Sequence, residues 1–132
     1  MRVKCVINQL AAISAADVRS RLGRSIHIEG PISGLSVGQE YLVQALEHRD
    51  DGIWLYLHTF EDSSFPHPYP AEMFEWQDRS IPDGWCLGVK RPKGNVVCNW
   101  ISFPEWASDD RFYEKLVGGD SKTTSIYASR RR

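Results

Sequence analysis

Residues 2–7 (RVKCVI) place Val3 and Cys5 on one side with Ile7 following, the two-residue period of a short strand. The period then changes. Ser14 precedes Ala15, Ala16 and Asp17, and Gly23 follows Leu22, which predicts a short helix capped by Ser14, with Ala15, Val18 and Leu22 as a narrow apolar stripe. Arg19 and Arg21, with Arg24 just beyond, give that helix a basic outer edge near the negative end of its dipole. Residues 25–29 (SIHIE) alternate again and predict a second strand before Gly30 and Pro31.

The clearest pairing signal lies in residues 41–47 and 53–60, two runs of β-formers joined by a polar turn that ends in Asp51-Gly52, which predicts a β-hairpin. Its second arm, IWLYLHTF, is almost continuously apolar, so both faces of that strand must be covered, in a small barrel or by a helix lying on a sheet. Residues 65–85 are broken by Pro66, Pro68, Pro70 and Pro82 and read as one shaped loop, with a helical turn at 70–73 and an extended path from Phe74 to Trp76. Phe74, Ile81 and Trp85 are expected to hold it to the core. A second hairpin is expected from 85–90 and 96–102, a helix from 109–117 behind Ser108, and a flexible basic tail over 119–132. The expected fold is α+β and β-dominated, one globular domain over residues 1–118 with one helix near each end.

Composition narrows the class. At 132 residues, 42% hydrophobic and 25% charged, the chain is long enough to bury a single core without cross-links. No apolar run approaches the roughly 20 residues of a membrane helix, and Lys4, Asn8 and Gln9 interrupt the N-terminal apolar residues in a way that argues against a signal peptide. Cys5, Cys86 and Cys98 match no paired-cysteine or zinc spacing, which points to reduced thiols and a cytoplasmic location. The net charge of −1 divides unevenly, +3 over residues 119–132 and −4 over the rest, and an acidic body argues against a nucleic-acid footprint.

Candidate chemistry is sparse. His27, His48, His58 and His67 form no metal-ligand spacing, the glycines of GPISGLSVG lack the Lys-Ser/Thr of a phosphate loop, and no cofactor is implied. His58, at the end of an apolar strand, is the one histidine placed to work as an acid or base. Between residues 40 and 83 ten acids face only Arg49 and Arg79. Acids mixed with aromatic anchors suit a tight contact with a basic protein, and Glu61, Asp62, Tyr69, Glu72, Glu75 and Trp76 are the expected contact residues.

The run from Leu35 to Trp85, with Gly38 and Tyr41 leading a strand, then PAEMFE at 70–75 and IPDGW at 81–85, resembles small bacterial proteins with an SH3-like barrel, among them immunity proteins of polymorphic or contact-dependent toxin systems. The resemblance implies a small, partly open SH3-like β-barrel and a non-enzymatic antidote that binds a cognate toxin domain. Two alternatives stand beside it. One is a nucleic-acid- or peptide-binding SH3-like module using Arg19, Arg21, Arg24 and the basic C-terminus. The other is a small enzyme using His58.

Overall fold

The computed structural model describes residues 1–90 and 98–131. The chain is a strand-rich α+β fold in which seven strands join one sheet and every pairing is antiparallel. The strands are β1 (Arg2–Cys5), β2 (Glu40–Arg49), β3 (Gly52–Leu57), β4 (His67–Pro70), β5 (Phe74–Asp78), β6 (Cys86–Lys90) and β7 (Cys98–Ser102). The helices are α1 (Ala16–Leu22), α2 (Pro104–Ala107), α3 (Phe112–Val117) and α4 (Ser121–Arg130). The main path runs β4-β3-β2-β1-β5, and β7, carrying β6, joins β2 beside β1. The path does not close.

Strand β2 is the axis of the sheet. It is ten residues long, and its register against β3 shifts between Val43 and Ala45. Such an irregularity bends a strand and re-aims its side chains. Before it, Val43 joins Val3, Cys5, Leu55, Leu57, Met73 and Phe74 in a first core, roofed by Leu22 and Leu35. After it, Ala45 joins Tyr56, Trp100, Phe103, Trp106, Phe112, Leu116 and Tyr127 in a second. The apolar run of β3 follows from this, because Leu55 and Leu57 serve one core while Tyr56 serves the other.

The second core is aromatic and centred on Trp106. Phe112 and Tyr113 stack on it at 5.3 and 5.9 Å, and Tyr56 and Tyr127 meet it edge-on at 5.3 and 6.4 Å. Pro104 starts α2, where a missing N–H costs no hydrogen bond. The helix lies so close to β6 that a Cβ at Gly88 would overlap the Ala107 carbonyl.

Five expectations are corrected, in whole or in part. Residues 25–29 form no strand; Ile26 packs on the first core while Ile28 stays exposed. In the proline-rich stretch the expected helical turn forms as a 3-10 turn (Ala71–Met73) and the expected extended path from Phe74 forms as β5, but residues read as loop form β4. Pro66, Pro68 and Pro70 recur at the strand period, so His67 and Tyr69 carry the N–H groups that meet β3 and the proline nitrogens lie along the free edge. The helix expected at 109–117 begins at Phe112, and α1 takes Ala15 rather than Ser14 at its N-cap, with no side-chain bond. Where a flexible tail is expected, α4 forms. Asp120 caps it, accepting from the Thr123 amide at 2.9 Å, and Tyr127 is 1% exposed. The turn of the second hairpin falls outside the described residues, but its register sets Cys86 opposite Ser102 and Cys98 opposite Lys90.

Candidate functional site

The two outer halves of the sheet differ. Helices α2 to α4 supply the rings that cover the β3, β2 and β7 half through the second core. The β2, β1 and β5 half is bare. Register places Lys4 opposite both Glu40 and Glu75, and Arg2 opposite Leu42, so these five residues share the face turned away from Val3, Cys5 and Phe74. Arg2, Glu40 and Glu75 are exposed, and Leu42 is 41% exposed. Arg2 lies 3.7 Å from Glu40, a surface pair weak enough for either group to exchange partners.

At the end of β3 this face runs into a groove of about 500 Å3, whose walls include Glu40, Leu42, His58, Glu61 and Arg131. Its rim is held by two tyrosines. Tyr41 accepts from the Ser36 amide at 3.0 Å and donates to the Gly34 carbonyl, and Tyr69 joins Thr59 at 2.8 Å and the Ser33 carbonyl at 3.4 Å. Gly34, at φ +88°, lets the loop approach Phe60, whose ring occupies the space a side chain would need. Phe60 is 37% exposed and Asp62 stands free beside Glu61.

The structure sorts the ten acids of residues 40–83. Glu47 is buried, accepting from Tyr56 at 2.6 Å and pairing with Arg49 at 3.0 Å. Asp51 accepts from Ser25 and from the Trp54 indole. Glu72 pairs with Arg21 at 2.6 Å, tying α1 to the turn before β5. Asp78 is pushed down to about 2 by the Ser80 hydroxyl and amide, with the N-terminal ammonium 3.5 Å away. These four are fastenings. The side chains of Asp50, Glu61, Asp62, Glu75 and Asp83 make no hydrogen bond or ion pair with another described residue.

Of the expected contact residues, Glu61 lines the groove, Asp62 is exposed next to it in the chain, and Glu75 lies on the bare face. Glu72 is spent on Arg21. Tyr69 is 5% exposed and supports the groove only through its hydroxyl on Thr59. Trp76, opposite Val3 at the outer strand, is 37% exposed. Ile81, expected in the core, is 56% exposed. Glu40 was legible only as one of the ten acids and Leu42 only as part of a strand; their membership of the face comes from the pairing of β1 with both β2 and β5.

His58 is engaged on both nitrogens. Arg131 donates toward Nε2 at 3.1 Å, so Nδ1 carries the proton of the neutral ring and faces the Tyr127 hydroxyl at 3.3 Å. Burial, Arg131 and His67 hold its pKa below the usual value. Arg19 is likewise bonded to the Ile13 and Ser14 carbonyls, and Arg21 to Asp51 and Glu72. Among the described residues no group of three His, Cys, Asp or Glu is placed to hold a metal ion, and no helix is long and apolar enough to cross a membrane. No family model, curated protein or solved structure matches this chain.

Proposed function

We propose that this is a non-enzymatic binding protein that captures a basic protein partner on the bare β2-β1-β5 face and the groove beside it, and that it acts as a bacterial immunity protein against a toxin domain. The observation that carries the reading is the placement of carboxylates without a partner, Glu61 in the groove wall and Glu75 on the bare face, with exchangeable Glu40 and exposed Leu42 shared by the two and exposed Asp62 next to Glu61 in the chain. Apolar groups supply buried area, and surrounding acids speed encounter and select charge.

The frame that carries this face is a partly open SH3-like barrel. The strand order β4-β3-β2-β1-β5, the long excursion between β1 and β2, and the 3-10 turn leading into β5 support it. The step from binding to toxin neutralisation rests on the resemblance of residues 35–85. Engagement of both nitrogens of His58 weighs against the enzyme alternative, and internal use of Arg19 and Arg21 weighs against the nucleic-acid alternative. Co-expression with toxin domains encoded by neighbouring genes tests the proposal: the wild-type chain is expected to restore growth against one of them, and continued toxicity of every one, or no toxin domain among those genes, overturns the reading.

A further inference from the structure

His58 and Arg131 meet at the wall of the groove although they stand 73 residues apart in the chain. Arg131 lies just past the end of α4, where its backbone amide donates to the Tyr127 carbonyl at 2.8 Å. A guanidinium carries only donors, so its 3.1 Å contact with Nε2 needs a bare lone pair on that nitrogen. The proton of the neutral ring is thereby fixed on Nδ1, which faces the Tyr127 hydroxyl at 3.3 Å, with the two rings stacked at 6.2 Å.

A second proton affects the two sides of the ring unequally. Nδ1 keeps its hydrogen and its tyrosine. Nε2 turns from acceptor to donor, and a cationic ring then faces a cationic side chain across a contact that has no acceptor. The other charged groups around the ring do not relieve this. His67 on β4 adds to the repulsion, and burial, the largest cause, together with Arg131 and His67, already holds the His58 pKa below its usual value. Glu40 and Glu61 share the groove but bond to neither nitrogen; Glu40 has Arg2, and Glu61 is open to receive a guanidinium that leaves. The rest of α4 is anchored separately, by the Asp120 cap, by buried Tyr127 and by Arg130 on Glu105 at 2.6 Å, so release stops at Arg131.

We propose that His58 and Arg131 form a proton-released latch on the groove, closed while Nε2 is bare and opened when it is protonated. The coupling is reciprocal: docked Arg131 resists protonation of the ring by the same factor by which protonation resists docking. Opening removes Arg131 from the wall and leaves a positive charge on the ring, which weakens capture of a basic partner. That last consequence rests on the binding reading above; the latch itself does not.

NMR of the free, full-length chain across the His58 titration tests the latch with no partner present. In the wild type the imidazole nitrogen shifts are expected to show neutral His58 as the Nδ1–H form, and the amide and side-chain resonances of Arg131 to move with the same midpoint as the ring. Arg131→Ala, a change at an exposed position, is expected to raise that midpoint and to return the neutral ring toward the Nε2–H form usual for a solvated histidine. A wild-type midpoint and tautomer in Arg131→Ala overturn the proposal, as do Arg131 resonances that stay unmoved while His58 titrates.

Discussion

The Tyr56 hydroxyl donates to the Glu47 carboxylate at 2.6 Å inside the second core, and Arg49, lying 4.4 Å over the Trp54 ring, closes the group from the other side. Burial and the neighbouring carboxylate raise the Tyr56 pKa, so the phenol stays protonated and remains the donor. Tyr56→Phe removes the hydroxyl and leaves Glu47 with Arg49, at an expected cost of about 1–3 kcal/mol. Glu47→Leu strands the half-buried guanidinium and is expected to cost more, about 3 kcal/mol. Urea unfolding of the two variants ranks them; equal costs would mean that Arg49 finds another acceptor.

The C-terminal helix is structural. Deleting residues 119–132 removes Tyr127 from the Trp106 cluster and both contacts to His58. Tyr127→Ala alone is expected to cost about 1.5–3 kcal/mol, and Asp120→Ala about 1 kcal/mol through the lost cap. Hydrogen exchange in α4 separates the two, since the cap variant should fray that helix first.

Those residues also show where sequence reading stops. GDSKTTSIYASRRR is polar and offers only Ile126 and Tyr127 to a core, so its composition gives no sign of docking. The docking surface is supplied by Trp106, Tyr56 and His58 from distant parts of the chain. The β2-β3 hairpin was legible because its pairing is local and its turn ends in Asp-Gly. β4 was not, because four prolines in twenty-one residues signal a loop unless their two-residue spacing is set against the free edge of a sheet. At the site, the acidic excess was visible in residues 40–83, but which carboxylates are free depends on Arg21, Ser25 and the N-terminus arriving from elsewhere and on Arg49 folding back onto Glu47.

Stability should fall in two stages with acid. His58 and His67 lie below their ordinary value of 6.5, chiefly through burial. The unfolded chain therefore takes up protons first, so stability present above about pH 6.5 is lost as the pH falls, and the loss ends below the folded-state values. Asp78, Glu105, Asp109 and Asp120 have lowered values, so their contributions are lost in a second step below about pH 4. Urea midpoints across this range should show both steps, and His58→Gln should shrink the upper one. An unchanged upper step in that variant would assign it to His67.

Gly88→Ala tests the seat of α2. The added carbon meets the Ala107 backbone, which has no rotamer with which to yield. The cost is expected at or above the upper end of the about 1–3 kcal/mol range for overpacking, lowering Tm by about 10 °C.

The most direct test of the binding face is titration calorimetry between a toxin domain that the chain neutralises on co-expression and two forms of this chain, the wild type and the combined variant Glu40→Lys, Glu61→Lys, Asp62→Lys and Glu75→Lys. These side chains are exposed and make no contact in either core, so the variant should fold. The expected result is tight, salt-sensitive binding by the wild type and at least a hundredfold weaker binding by the variant, about 2.7 kcal/mol. Equal affinity of the two forms would contradict the assignment of the bare β2-β1-β5 face as the surface that meets the partner.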